Sequence, residues 1–199
     1  MGETAFRVLE LGLHAHAQHV TLVPTGRVDA VLASRHHGQA SVTVAHVGDS
    51  RVYLARPEQP LRRLTTDHGY FHFAVRHRHL GQEEAWRIEQ VEQRESLSYE
   101  DQAHFERRHQ ITCAVGRFDF STIPVHSSPL LPGDRVILCT DGLHDNSADW
   151  EIEAIVHTSG TAGALHLVHV AFERSLQRHV RTKRDDISAI VAWYPSAMS

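Results

Sequence analysis

The spacing of apolar residues changes character several times along the chain. Phe6, Leu9, Leu13, Ala17 and Val20 recur at intervals of three and four, which predicts an amphipathic helix over residues 4–18 laid on a core. Short β-prone segments follow at Val20–Val23, Val28–Ala33, Ser41–Val47, Arg51–Ala55 and Leu61–Leu64. They are separated by turn chemistry at Pro24–Gly26, His36–Gly38, Gly48–Ser50 and Pro57–Pro60. Such a meander predicts antiparallel pairing. Residues 67–109 are rich in Glu, Gln, Arg and His, with Ala74, Leu80, Ala85, Trp86, Ile88 and Val91 intermittently apolar. Two or three surface helices are expected there, with Thr66 and Asp67 as candidate caps.

Ile111–Val115 reads as a strand stopping at Gly116, followed by loop and a short strand up to Pro129. Pro132, Gly133 and Asp134 then turn the chain into Val136-Ile-Leu-Cys139, an unbroken apolar run suited to a strand buried on both faces. Trp150, Ile152, Ile155 and Val156 predict a short helix. Leu165, Val168, Phe172 and Leu176 predict a longer one beyond the Ser159–Gly163 breaker, and Ile187–Tyr194 is a closing apolar strand. No internal repeat or low-complexity segment interrupts this order, so residues 1–199 are expected to form a single domain.

Composition narrows the function classes. A chain of 199 residues that is 41% hydrophobic and 22% charged is long enough for one well-buried unit. Its formal charge of -4 gives no electrostatic reason to expect a nucleic acid or an anionic membrane as partner. Glu3, Arg7 and Glu10 interrupt the first twenty residues, which do not resemble a signal peptide, and no apolar run is fit to span a bilayer. With Cys113 and Cys139 both inside apolar segments, a reducing, cytoplasmic setting is expected. The 18 histidines form no ligand set with zinc spacing, and most are expected at the surface.

The candidate chemistry centres on Asp141. It stands where the buried run leaves the sheet, and Gly142 lets the chain turn there without a side chain blocking the carboxylate. One oxygen donor at a strand terminus suits a hard cation, magnesium, manganese or calcium, although the same Asp-Gly pair is also an ordinary turn. His144 is adjacent. Arg51 could meet a phosphate or pair with a neighbouring acid inside the fold.

Several punctuated segments, in order, resemble one family. Ala45-His-Val-Gly-Asp-Ser-Arg51 is similar to its "GDSR" turn, Leu64-Thr-Thr-Asp-His68 to its "LTxDH" motif, and Ile111-Thr-Cys-Ala-Val-Gly116 to the strand that follows. Pro132-Gly-Asp-Arg135 with Thr140-Asp-Gly-Leu-His-Asp145 resembles "PGD…SDGLxD", and Arg184-Asp-Asp-Ile-Ser188 resembles the closing "DNxT". The pattern is that of the metal-dependent, PPM-type (type 2C) serine/threonine protein phosphatases. The resemblance implies an α+β fold, a sandwich of two antiparallel β-sheets flanked by helices, with metal ions between the sheets. It implies Mg2+ or Mn2+ as cofactor and a phosphorylated protein, the product of a Ser/Thr kinase, as substrate. By the same resemblance Asp141 and Asp185 are ligands of the first metal, and Asp49 with Asp141 matches a third, weaker site. Asp145 would orient metal-bound water or cap the next helix.

The departures are as informative. Asp186 replaces the usual asparagine and Ser188 the usual threonine. Family members also carry, upstream of the first helix, an arginine for the substrate phosphate and an Asp-Gly segment whose aspartate bridges both metals. No Asp-Gly pair precedes Asp141 here, so the domain is expected to be N-terminally truncated relative to the family. Two divalent ions about 3.5–4 Å apart repel strongly without a bridging anion. The chain is therefore expected to be a weak or inactive phosphatase, or a non-catalytic phosphatase-like module that binds a phosphoprotein and regulates it. The sheet edge left by the missing strands would be covered by a partner or a second copy.

Overall fold

The structure, a computed structural model, describes residues 6–12, 19–22, 29–36, 39–113 and 123–195. Its strands are β1 (Phe6–Gly12), β2 (His19–Leu22), β3 (Asp29–His36), β4 (Gln39–His46), β5 (Arg51–Ala55), β6 (Arg62–Arg63), β7 (Val125–Pro129), β8 (Arg135–Cys139) and β9 (Ile187–Trp193). Its helices are α1 (Tyr70–Arg76), α2 (Gln82–Glu89), α3 (Tyr99–Glu106), α4 (Asp141–His144), α5 (Asp149–Thr158) and α6 (Gly163–Leu176). The strands form a five-stranded sheet in the order β1-β9-β8-β5-β6 and a four-stranded sheet in the order β2-β3-β4-β7. The α+β sandwich expected from the sequence is what is found. All pairings are antiparallel except β1 with β9, which run parallel from Phe6 opposite Ile187 to Gly12 opposite Trp193.

That pairing corrects the first expectation. The helix predicted over residues 4–18 is a strand at Phe6–Gly12. Seven residues hold only two of the spaced apolar positions, too few to specify a helical period, and the edge of β9 supplies a full ladder of backbone partners. The remainder of the predicted helix, residues 13–18 with His14 and His16, lies outside the described residues.

Strand β8 explains why the sandwich closes. Its side chains alternate between faces, and both faces are covered. Val136 and Leu138 pack with Val42 and Val44 of β4 and Val52 and Leu54 of β5 between the sheets. Ile137 and Cys139 face the other way, against Ile152 and Val156 of α5 and Leu167 and Ala171 of α6. A third cluster, with Tyr70, Ala74, Ile88 and Phe105, holds α1 to α3 together beside the sandwich. The helical middle thus has a small core of its own. Ser98 caps α3, accepting from the Asp101 amide at 3.1 Å while the Asp101 carboxylate accepts from the Ser98 amide at 3.2 Å.

Two local expectations fail here. Ile111 forms only an isolated bridge with Gly69, and residues 112 and 113 are not strand; the rest of the predicted Ile111–Val115 strand lies outside the described residues. The Thr112 amide donates to the His68 carbonyl, which ties the segment to the turn before α1. Nor do Thr66 and Asp67 cap α1, whose N-cap is Gly69; the carboxylate of Asp67 is taken by Arg51. Among the described residues no helix is long and apolar enough to cross a membrane.

Candidate functional site

Strand β8 delivers the chain to Thr140, and the single turn α4 follows at once. Residues 183–186, which lead into β9, are clamped onto that turn by three side-chain features. Thr140 Oγ1 donates to the Asp186 carbonyl at 3.1 Å and accepts from the Ser188 amide at 3.0 Å. Asn146, fully buried, donates through its amide to the carbonyls of Gly142 and Lys183, both at 2.8 Å, and accepts from the Lys183 amide at 3.0 Å. Gly142 supplies the closest approach: a Cβ at this position would stand 2.3 Å from the Asp186 carbonyl oxygen. The glycine is required for proximity of two backbones, more than for the sharp turn expected from sequence.

This clamp brings together acids far apart in the chain. Lys183 Nζ lies 2.7 Å from Asp141 Oδ2, 2.9 Å from Asp145 Oδ2 and 3.1 Å from Asp185 Oδ2. Burial alone would lower the Lys183 pKa, but Asp145 and Asp141 hold the ammonium well above its ordinary value. Asp145 also meets His109 Nδ1 at 2.9 Å. Burial would raise its carboxyl, yet the His109 hydrogen bond and the Lys183 ammonium keep it far below the usual carboxylate range. Asp145 does not cap the following helix, whose N-cap is Ala148.

The other predicted residues sit nearby. Asp49 is buried on the β4–β5 turn, and His144 Nε2 meets its backbone oxygen at 2.8 Å. His144 is buried, and desolvation with Arg51 close by pushes its pKa well down, so it acts as a neutral strut between α4 and that turn. Arg51 resolves as an internal ion pair. Its Nε and Nη2 grip Asp67 at 2.9 and 2.6 Å, and it also contacts Glu89 and Asp149, with Arg63 bridging Glu89 and Asp149 from the other side. A cavity of about 660 Å³ runs from Asp49, His144 and Asp145 past this network to Tyr70 and Trp86.

Comparison with known proteins decides the family. The family model "Protein phosphatase 2C" matches residues 14–120, more than half of the chain, and "Stage II sporulation protein E (SpoIIE)" matches residues 96–195. The chain belongs to the PPM-type, protein phosphatase 2C family. The serine/threonine phosphatase stp of Listeria monocytogenes (strain F2365) is 29% identical over 123 residues, 62% of this chain and 42% of that protein. The chain thus spans less than half the length of the curated relatives it matches. Among solved structures, the Mycobacterium tuberculosis serine/threonine phosphatase PstP/Ppp superposes with a TM-score of 0.62 at 20% identity, over 84% of this chain and 60% of that one. The catalytic domain of PstP in complex with two manganese ions gives 0.54 at 21% identity, over 82% and 56%.

Against this protein phosphatase 2C fold, the carboxylate site departs from a plain metal centre. Its donors are hard oxygens, as magnesium or manganese requires. As arranged they close on an ammonium, and among the described residues no group of three or more His, Cys, Asp or Glu side chains is set to hold a metal ion. A divalent ion does not fit while Lys183 stays where it is. Sequence reasoning missed Lys183 and Asn146. A signal for the first was present: Lys183 is the only lysine in the sequence, beside 19 arginines.

Proposed function

We propose that this chain is a phosphoserine/phosphothreonine protein phosphatase domain that depends on Mg2+ or Mn2+ bound at Asp141 and Asp185, with Asp49 contributing to a further, weaker site. Its substrate would be a protein phosphorylated by a Ser/Thr kinase. The observation that carries this reading is the convergence of Asp141, Asp145 and Asp185, from two segments some forty residues apart, on one positive charge. When bound, the ion would lower the pKa of water and neutralise phosphoryl oxygens. The chain's own part is positional: Thr140, Gly142 and Asn146 hold the two acid-bearing segments together, and His109 orients Asp145. Membership of the protein phosphatase 2C family and likeness to PstP, solved with two manganese ions, support the assignment.

A second reading draws on Lys183. With an ammonium among the acids, the chain would be a non-catalytic module that binds a phosphoprotein. The two separate by phosphate release from a phosphothreonine peptide over a range of Mn2+ concentrations, with Asp141→Ala as control. Manganese-dependent release lost in Asp141→Ala supports the phosphatase. No release at any concentration, with the peptide still bound by fluorescence anisotropy, overturns it in favour of the module.

A further inference from the structure

The β4–β5 turn, residues 47–50, is held by two imidazoles in opposite roles. Gly48 has a φ of 119°, in the region that favours glycine, and its amide donates to Nδ1 of His68 at 3.2 Å. In return the His68 amide donates to the Gly48 carbonyl at 2.8 Å. One residue on, His144 Nε2 donates to the Asp49 carbonyl. A ring nitrogen accepts only while it carries no proton, so the Gly48 bond exists only with Nδ1 of His68 unprotonated. The surroundings offer a charged His68 nothing in exchange. The His46 ring on β4 lies 4.7 Å away, centroid to centroid, and His46 is buried with Nε2 unpartnered. His72 on α1 and His126 on β7 line the same cavity of about 340 Å³ as His46 and His68, and among the described residues no acid lines it. Asp67, next to His68 in the chain, is gripped by Arg51. Burial and the neighbouring His72 lower the His68 pKa from its ordinary 6.5 against the pull of Asp67. Burial and His68 bring His46 down to about 4, against a hydrogen bond to the Thr66 backbone. His68 itself is only half-buried, so a proton reaches it without unfolding of the domain.

We propose that His68 is a proton-sensitive latch on this turn: neutral, it holds Gly48 in place, and protonated, it lets go of the turn that carries Asp49. Protonation converts Nδ1 from acceptor to donor, so two N–H groups confront one another where a hydrogen bond stood. The new charge also faces His46 and His72 while Asp67 is already committed to Arg51, and the ring turns away toward solvent. Because the closed turn requires the neutral form, closure is complete above the ordinary histidine pKa of 6.5 and weakens as pH falls below it. The latch is a property of the turn and goes beyond the phosphatase reading, needing no metal to act.

NMR of the full chain without added metal, between about pH 8 and pH 5, tests the latch. The Gly48 amide and the His68 ring carbon Cε1 are followed in wild type, and the Gly48 amide in His68→Asn, each protein checked for folding by circular dichroism. Asparagine puts an acceptor oxygen near the position of Nδ1 and does not titrate in this range. In wild type the two signals should titrate together, with a midpoint below 6.5. Hydrogen-exchange protection of the Gly48 amide should fall at least about threefold over the same range. In His68→Asn the Gly48 amide should stay still and keep its protection. A Gly48 amide unmoved down to about pH 5 in wild type, or moving equally in folded His68→Asn, overturns the latch. Should His68→Asn fail to fold, the two wild-type midpoints decide alone: coincidence supports the latch and divergence overturns it.

Discussion

Replacing Gly142 with alanine tests the clamp that makes the site. The new Cβ would stand 2.3 Å from the Asp186 carbonyl oxygen and 2.9 Å from its carbon, where ordinary contact begins at 3.4 Å. The 183–186 segment must therefore retreat by roughly 1 Å, and its hydrogen bonds to Thr140 and Asn146 resist the move. The obstacle is backbone on both sides, so relief by side-chain rotation is closed. Overpacking of this kind costs about 1–3 kcal/mol, and the upper end is expected here. For a domain of this size about 3 kcal/mol corresponds to a fall in Tm of about 6–12 °C. Gly163→Ala is the control. Its Cβ meets only Val191 Cγ2, at 3.9 Å, and its backbone is helical, so the change is expected to be neutral or to stabilise by up to about 1 kcal/mol. Thermal and urea unfolding followed by circular dichroism measure both. A Gly142→Ala protein as stable as the Gly163→Ala control would refute the close packing of the two acid-bearing segments.

Other perturbations probe the surrounding network. Arg51→Met leaves Asp67, Glu89 and Asp149 with Arg63 as their remaining ion-pair partner among the described residues and should destabilise by about 3–5 kcal/mol in urea unfolding, a far larger loss than an exposed arginine would give. Burial works to raise the carboxyl pKa of Asp149, but Arg51 and Arg63 prevail and hold it down at about 2, below its ordinary 3.8. Because the folded value is the depressed one, the stabilisation is complete above the unfolded pKa and is lost as pH falls from about 4 toward 2. It amounts to about 2 kcal/mol, of which roughly two-thirds is lost by pH 2.5, so the stability gap between wild type and Asp149→Asn should narrow by about 1.5 kcal/mol between pH 6 and pH 2.5. Ser98→Ala removes the cap of α3 and should cost about 1 kcal/mol in the same assay, without altering metal or phosphopeptide binding.

Much of this architecture is legible in the residues themselves. The run Val136–Cys139 announces a strand covered on both faces because only such a strand tolerates four consecutive apolar side chains, and its two faces indeed meet different clusters. Arg51 as an internal ion pair also follows from sequence, since a buried arginine needs acids and the segments around it supply them. The segment at Phe6–Gly12 was illegible for the opposite reason: its apolar residues suit a helix or a strand, and the parallel edge of β9 that receives it lies 181 positions away in register. Asp67 read as a cap because spacing cannot reveal that Arg51 approaches from another strand. Asp141 and Asp185 could be named, but the ion between them could not, because the position of Lys183 depends on Asn146 and Thr140 folding the loop back onto α4.

The central claim is that Asp141 and Asp185 share one cation position. Anomalous diffraction from crystals of the full chain grown with Mn2+ addresses it most directly. The account predicts a manganese peak bonded to oxygens of both carboxylates and, in crystals grown without metal, Nζ of Lys183 between them. Carboxylates of Asp141 and Asp185 lying apart with no common cation, in either crystal, would contradict it.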